Sequence, residues 1–277
     1  VKSAKVAGLK SAVFTFANHP KNVLAGRPVI KNIMYPEDKA EIIKSLGVDY
    51  LFSLEFDKVI QHLSAEEFVQ KLLIESFKMK EAYCGFNYHY GYEAEGSPET
   101  LIKAGVRDGF GIHVLEPYKI DNNLVSSTLI RKLIAEGKVG ECKKYMGRNY
   151  MVGGEVVVGN KIGRTIGFPT SNLLIDETMV TPAHGVYITY CKYNGIDYQG
   201  ITNVGIKPTI GDNKKNIETH IFNFSAELYG KQIRVEFLER LRSEIKFSSV
   251  QELSEQIARD CIEAKRYHAD QLQRRVL

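Results

Sequence analysis

Tryptophan is absent from the 277 residues, and the four cysteines form no CxxC pair. That spacing excludes a zinc knuckle and does not support a disulfide scaffold. Long apolar runs and a secretory leader are also missing, which argues against a membrane-spanning helix. The formal net charge of +4 is too small for a dedicated nucleic-acid binder. We therefore expect a cytoplasmic protein with reduced thiols, without nucleic-acid or membrane partners, either a monomer or a weak homo-oligomer.

The length predicts two domains. In the first half, strand-like segments such as residues 11–16, 48–54, 81–84 and 111–115 alternate with helical ones. Pro36 opens one helix, and Ser64 with Glu67 forms a capping-box pattern at the start of another. Four β-then-α units in a row predict a parallel sheet with covering helices.

The pattern changes near Gly147. Segments 185–193 and 197–204 flank Asn194-Gly195, a strong hairpin signal, and segments 219–228 and 231–238 flank Tyr229-Gly230. Several antiparallel strands with glycine turns predict a small barrel, followed by a closing helix over residues 249–271. We place the domain boundary between residues 142 and 143, which gives domains 1–142 and 143–277.

A glycine-rich segment over residues 159–172 carries the densest set of candidate site residues. Gly159, Gly163 and Gly167 recur every fourth residue, and Lys161 and Arg164 add positive charge. Glycine lets backbone N–H groups approach an anion, so this segment suits a phosphate. Thr170 and Asn172 offer hard oxygen ligands for Mg²⁺. The alternative is a barrel turn that needs glycine for its backbone alone.

A second group of candidates lies further along the chain. Glu218 stands before a strand-like run, where a carboxylate near a phosphate site could accept a proton from a substrate hydroxyl. It could equally be a solvated acid or a partner of Arg234. His220 is expected to pack or form a hydrogen bond rather than bind metal. Arg242 and Phe247 lie in a connection that could close over a ligand.

In the first half, His19 follows a predicted strand, at the sheet edge where open α/β folds bind ligands. Ser126, Ser127 and Arg131 open a predicted helix and could cradle an anion. A plain N-cap with a surface arginine is the alternative.

Taken in order, these motifs resemble the bacterial bifunctional riboflavin kinase/FMN adenylyltransferase (FAD synthetase) family over almost the whole chain. The matching segments include Gly163-Arg164 with Gly167-Phe168-Pro169-Thr170-Ser171-Asn172, Asn203-Val204-Gly205, Pro208-Thr209, Glu218, Leu228-Tyr229-Gly230, Arg242 with Lys246-Phe247, Thr15-Phe16 with His19-Pro20, Gly85-Phe86, and Ser126-Ser127-Thr128 with Arg131. The resemblance implies a nucleotidyltransferase-like (Rossmann-like) α/β domain followed by a small antiparallel β-barrel with a C-terminal helix.

The resemblance also implies two reactions: phosphorylation of riboflavin to FMN by ATP, and adenylylation of FMN to FAD. Mg²⁺ would be the metal, ATP the co-substrate, and riboflavin, FMN and FAD the substrates and products. Glu218 would be the general base, and Thr170 and Asn172 would hold the metal. The implied contacts to ATP are Gly159, Lys161, Gly163, Arg164, Gly167, Phe168, Pro169 and Asn172. The implied contacts to the flavin are Asn203, Gly205, Arg242 and Phe247. The implied adenylyltransferase site consists of His19, Pro20, Asn87, Ser126, Ser127, Thr128 and Arg131.

Two features depart from the family. Its HxGH loop is missing from this sequence, and Asn87 and His89 stand where an aspartate and a basic residue are more usual. If the protein begins at Val1, adenylyl transfer should be lost or severely reduced. The alternatives are a riboflavin kinase with a scaffold first domain, or a catalytically silent flavin- or nucleotide-binding regulatory protein. An RNA-binding barrel fits the low charge poorly.

Overall fold

The computed structural model describes residues 1–159, 162–209 and 212–276. These residues form two compact units. The first unit comprises residues 1–30 and 36–125, and the barrel unit comprises residues 31–35 and the chain from residue 126 onward. The helices near residues 127–146 belong to the barrel unit, and the expected boundary between residues 142 and 143 stays a prediction.

The first unit alternates helices and short strands. Its elements are α1 (Lys2–Val6), β1 (Ala12–Phe16), α2 (Pro20–Ala25), α3 (Pro36–Ser45), β2 (Tyr50–Leu54), α4 (Lys58–Gln61), α5 (Ala65–Glu67) with a π-helix (Phe68–Ser76), β3 (Glu81–Gly85), a 3₁₀ turn (Tyr92–Ala94), α6 (Pro98–Asp108), β4 (Gly111–Leu115), β5 (Lys119–Ile120) and β6 (Asn123–Leu124). The predicted capping box is confirmed, because Ser64 and Glu67 bond each other's backbone N–H groups at the start of α5.

Parallel pairing in the first unit is confirmed, and in the described residues it is arranged as two two-stranded sheets. β1 pairs only with β2, and β3 only with β4, so the described residues form two separate parallel sheets. Side chains from β1, β2 and β3 line one cavity of about 620 Å³ that includes Val13, Phe52 and Cys84. The core lies beside it and is built on Phe68, Val69 and Leu101.

The barrel unit begins with two helices and continues as strands. Its elements are α7 (Ser127–Ala135), α8 (Val139–Met146), β7 (Tyr150–Val157), α9 (Ile162–Thr165), β8 (Ser171–Leu174), β9 (Gly185–Tyr193), β10 (Ile196–Thr209), β11 (Asp212–Ile221), β12 (Gln232–Arg242) and α10 (Val250–Val276). The strands close into a barrel in the order β10-β11-β8-β7-β12-β9. The predicted barrel and closing helix are therefore confirmed.

Both predicted turns are confirmed, but only Asn194-Gly195 joins two paired strands, because the strand expected over residues 219–228 ends at Ile221. Asn194 and Gly195 both have positive φ and join the paired strands β9 and β10, as a two-residue type I′ turn requires. Tyr229 and Gly230 join no pair, since β11 ends at Ile221 and β12 pairs with β7 and β9 instead. Residues 222–231 form a loop that leaves the sheet, and several of them line the cavity described below.

Alternate residues of the barrel strands face two cores. Tyr187 and Cys191 pack inside with the α7 and α8 side chains, whereas Val186 and Ile188 pack outside against Cys261 and its neighbours on α10. All four cysteines are buried and unpaired. Burial raises the pKa of Cys142 and of Cys261 to about 11, so these thiols stay protonated and packed at neutral pH.

A segment from the first half of the chain, Lys31–Tyr35, belongs to the barrel unit. The backbone N–H of Asn32 donates to the Thr178 carbonyl at 2.6 Å, and the N–H of Val180 donates to the Asn32 carbonyl at 2.9 Å. The Tyr35 hydroxyl donates to the Gly153 carbonyl at 2.8 Å. We call this segment the tether. Among the described residues, no helix is both long and apolar enough to cross a bilayer.

Candidate functional site

Three polar side chains predicted from the sequence stand in a row across three adjacent strands. Glu218 on β11 lies opposite Asn172 on β8, and on its other side lies opposite Asn203 on β10. Directly opposed residues of antiparallel strands project from the same face of the sheet. The register therefore brings the candidate base, a candidate metal ligand and a candidate flavin contact together.

A fourth polar residue, which the sequence reasoning missed, links two of them. The Asn216 side-chain amide, with only 5% of the residue exposed, donates from Nδ2 to Glu218 Oε1 at 2.7 Å and to Asn172 Oδ1 at 3.0 Å. Asn216 precedes Glu218 by two positions, and alternate strand residues share a face. That spacing was the signal that could have identified it.

The glycine-rich segment approaches this row closely. A Cβ added at Gly159 would lie 2.3 Å from Asn172 Nδ2, so no other residue fits there without movement. A Cβ at Gly163 would lie 2.3 Å from the Phe168 carbonyl oxygen, which the loop turns back toward it. Gly167 has a φ of +85°, in the left-handed region that favours glycine. Each of these three positions therefore requires glycine. At Gly159 the backbone lies directly against the Asn172 side chain.

A cavity of about 530 Å³ lies between this segment and the loop after β11. The residues that line it are Val156, Gly159, Arg164, Pro169, Thr170, Ser171, Asn172, Thr219, Ile221, Phe224, Ser225, Ala226, Glu227, Leu228 and Tyr229. Four of the predicted ATP contacts are among them. Gly163 lies on α9 and Gly167 and Phe168 follow that helix, so none of the three lines the cavity, and Lys161 lies outside the described residues.

His220 anchors the glycine-rich segment. Its Nδ1 lies 2.9 Å from the Pro169 carbonyl oxygen, and its ring meets the Phe168 ring edge-on. Burial lowers the pKa of His220, so the ring is neutral at physiological pH. Phe168 packs against the outer core covered by α10. The hydrogen bond and packing expected for His220 are thus what the structure shows.

Of the flavin candidates, Arg242 is held by α10. Its Nη2 donates to Asp260 Oδ2 at 2.7 Å and its Nε to Oδ1 at 3.0 Å, while Asp260 is only 3% exposed. The guanidinium also lies over the Phe247 ring at 5.9 Å. A Cβ at Gly205 would lie 2.8 Å from Glu244 Oε1, so the connection after β12 reaches the strand that carries Asn203. Asp260 and Glu244 are further residues that the sequence reasoning missed.

The adenylyltransferase candidates are divided between the units. His19 caps α2, with Nδ1 accepting from the Lys21 N–H at 3.2 Å, and Pro20 is the first residue of that helix. Asn87 follows β3 in the first unit. In the barrel unit, Ser126 caps α7, Ser127 and Thr128 open it, and Arg131 Nε donates to the Lys31 carbonyl at 2.6 Å. Burial lowers the pKa of Arg131. Their assembly into one site stays a prediction.

The donor set at Asn172 fits Mg²⁺. Thr170 and Asn172 are two residues apart at the start of β8 and line the same cavity, and both offer neutral hard oxygens. Mg²⁺ usually takes one or two protein oxygens together with waters and substrate phosphates. Among the described residues, no group of three or more histidine, cysteine, aspartate or glutamate side chains could hold a metal ion.

Known protein families match both halves of the chain. The profile of the riboflavin kinase family (Flavokinase) matches residues 146–268, and that of the FAD synthetase family matches residues 1–129. Bifunctional riboflavin kinase/FMN adenylyltransferase from Bacillus subtilis is 35% identical over 96% of this chain and 85% of its own length. The Escherichia coli K12 protein of the same name is 30% identical over 92% and 82%.

A solved structure titled as a macrolide-efflux protein from Streptococcus pneumoniae superposes with a TM-score of 0.86, at 30% identity, over 95% of this chain and 86% of that one. Fold and matches together define a two-domain transferase. More particularly, the chain belongs to the bifunctional riboflavin kinase/FMN adenylyltransferase family.

Proposed function

We propose that the barrel unit transfers the γ-phosphate of ATP to the ribityl 5′-hydroxyl of riboflavin, and that the first half of the protein supports the adenylylation of the resulting FMN to FAD. The observation that carries the kinase assignment is the hydrogen-bonded set Asn172, Asn216 and Glu218 beside a cavity edged by the glycine-rich segment. That set combines a carboxylate that can take a proton with neutral oxygens that can face phosphates.

Glu218 is the general base in this proposal. A carboxylate accepts the proton of the attacking hydroxyl as the new O–P bond forms. Phosphoryl transfer otherwise needs positioning and neutralisation of charge. Arg164 supplies positive charge at the cavity wall, and the glycine-rich backbone supplies N–H groups. Lys161 adds a second cation from the undescribed part of that segment.

Thr170 and Asn172 would hold Mg²⁺ here. When bound, the ion neutralises phosphate charge as it develops during transfer. Asn203, Gly205, Arg242 and Phe247 would contact the flavin. Arg242 is set by Asp260, and this fixes one side of the connection that carries Phe247. We propose that this connection closes over the bound flavin.

For the second reaction, Ser126, Ser127, Thr128 and Arg131 would bind the triphosphate, with His19 and Pro20 beside it and Asn87 near the flavin. An N-capping serine and the first turn of a helix favour an anion. A kinase with a scaffold first domain is the second candidate function, because the candidate residues of the second reaction are divided between the two units.

Product analysis tests both candidates. The protein is incubated with riboflavin, ATP and Mg²⁺, and the flavins are separated by chromatography. FMN together with FAD supports the bifunctional proposal, whereas FMN alone supports the kinase with a scaffold domain. Formation of neither product, with riboflavin still bound as measured by fluorescence quenching, would contradict the kinase and favour a binding protein.

The base assignment has its own test. Glu218→Gln removes the proton acceptor and should lower FMN formation by roughly 10²–10⁴-fold, the usual contribution of a general base. ATP binding, measured by calorimetry without riboflavin, should stay within about twofold. Any formation of FAD from added FMN should also be unchanged, because that reaction uses other residues. Normal FMN turnover in this variant would overturn the assignment.

We place the enzyme in the cytoplasm as a monomer or weak homo-oligomer without nucleic-acid or membrane partners. Its substrates are metabolites of that compartment, and its four buried thiols suit a reducing one. Fractionation of cells and light scattering of the purified protein test these points. Recovery with membranes or retention of RNA at moderate salt would contradict them.

A further inference from the structure

We propose that Asn216 is a positioning residue for the kinase reaction: its buried amide orients the Glu218 carboxylate and the Asn172 amide as one unit. This inference rests on the proposed function, because it assumes that Glu218 and Asn172 act at the phosphoryl-transfer site.

The donor and acceptor pattern fixes the orientation of Asn216. An ionised carboxylate can only accept, so the atom 2.7 Å from Glu218 Oε1 must be the amide NH₂ group. The same nitrogen lies 3.0 Å from Asn172 Oδ1 and carries a second hydrogen for it. A single NH₂ group thus satisfies one acceptor on each side, and the Asn216 amide cannot flip without losing both bonds.

The arrangement also fixes Asn172. Its amide is held on one side by Asn216 and on the other by the Gly159 backbone, which leaves no room for a Cβ. A carbonyl oxygen has two lone pairs, so Asn172 Oδ1 can accept from Asn216 and keep one for a ligand in the cavity. Buried hydrogen-bonding partners of this kind commonly orient the groups that bind metal or substrate.

Asn216 lies opposite Gly205 of β10, with Glu244 Oε1 close to that glycine, and opposite Leu174 of β8. With 5% exposure, Asn216 has little access to water that could replace the two hydrogen bonds. Loss of the amide would therefore release both site residues rather than exchange one partner for solvent.

The main experiment compares Asn216→Leu with a matched control. Asn149 makes the same kind of bond in the same barrel, from Nδ2 to Glu236 Oε1 at 2.7 Å, away from the cavity-lining residues. Asn216→Leu keeps the branching and the number of side-chain heavy atoms but removes the NH₂ group that donates both hydrogen bonds. We expect its kcat for FMN formation to fall about tenfold or more, as for a lost bond to a charged group. KM for riboflavin and calorimetric ATP affinity should stay within about twofold, and Asn149→Leu should leave kcat unchanged.

A second variant guards against poor folding. Asn216→Ala removes the amide without adding bulk or charge, so its kcat should fall by a similar factor. Thermal melts of both Asn216 variants should match that of Asn149→Leu within a few degrees. An unchanged kcat in a folded Asn216 variant overturns the proposal. A rate loss accompanied by a melting shift far beyond that of Asn149→Leu also overturns it, because the residue would then be merely structural.

Failure of the proposed function is distinguishable from failure of this inference. If Glu218→Gln keeps normal FMN turnover, the base assignment fails and Asn216 has no base to orient. If Glu218→Gln is inactive and Asn216→Leu is fully active, only the positioning role fails.

Discussion

In the barrel unit each of the six strands has a neighbour on both sides, whereas the parallel strands of the first unit have one partner each in the described chain. A closed barrel leaves no edge unpaired, and its strands hold side chains from distant parts of the sequence in fixed register. That register is what brings Asn172, Glu218 and Asn203 into a row. The first unit has short two-stranded parallel sheets beside an open cavity, and of its candidate residues His19 caps α2, Pro20 begins that helix and Asn87 follows β3. Strand closure and site assembly thus go together in this molecule.

Hydrogen exchange should show the largest difference between the two units. Amides of β1–β4 should exchange roughly a thousandfold faster than those of β9 and β12, because local opening costs range from near zero up to the full unfolding free energy. The measurement is exchange followed by mass spectrometry of peptic peptides, with α10 as an internal reference in the barrel unit. Equal protection in the two units would show that pairing on both sides does not set their stability.

The ion pair between Arg242 and Asp260 is expected to stabilise the barrel unit. Asp260→Asn leaves the largely buried Arg242 guanidinium without its counter-charge, and removing one partner of a buried pair costs about 3 kcal/mol. We expect that loss in the free energy of unfolding in urea, together with a higher KM for riboflavin. The matched control is Asp197→Asn, whose exposed pair with Lys192 should matter by less than about 1 kcal/mol. Equal effects of the two variants would contradict the role of Asp260.

The smallest expected effect is a pH dependence of barrel stability. His268 on α10 is fully buried, and burial lowers its pKa more than the nearby Gly200 and Thr189 carbonyls raise it. Below about pH 6.5 the unfolded chain takes up a proton that the folded one does not, so stability falls as the pH drops and is unaffected above that value. His268→Phe should reduce this slope by about 1 kcal/mol per pH unit at most. Burial also lowers the pKa of His220, so the His268→Phe variant should keep part of the pH dependence.

Urea titrations at pH 7.5 and pH 5.5 measure this effect. A variant that retains the full wild-type difference between the two pH values would show that His268 does not contribute. The centroids of the Tyr190 and His268 rings are 4.8 Å apart, so we expect the phenyl ring of His268→Phe to pack against Tyr190 in place of the imidazole.

How far the sequence predicts this molecule depends on the range of the interaction. Local signals worked where the chemistry is local: the Asn194-Gly195 turn and the Ser64–Glu67 capping box are where they were expected. Tyr229-Gly230 also forms a turn, but it joins no two paired strands, because turn residues do not reveal which strands pair. The short helix α8 was missed, since its signals overlap a change of pattern near Gly147.

The site shows the same limit. Residue types indicated Thr170 and Asn172 as oxygen ligands, the resemblance to the family added Glu218 as the base, and alternation along β11 could have added Asn216. The opposition of Glu218 and Asn172 depends on barrel register, which no local pattern contains. The Arg242–Asp260 pair joins a strand end to the middle of a helix and became visible only in three dimensions.

The tether has a consequence for biosynthesis. Lys31 and Glu177, which a hydrogen bond joins, are 146 residues apart in sequence. Translation at about 5–20 residues per second separates their emergence from the ribosome by on the order of ten seconds. During that interval the Asn32 backbone and the Tyr35 hydroxyl have none of their barrel partners. The tether therefore lacks these barrel hydrogen bonds until the barrel sequence has been synthesised. A gene fragment that starts at residue 126 would lack the tether itself.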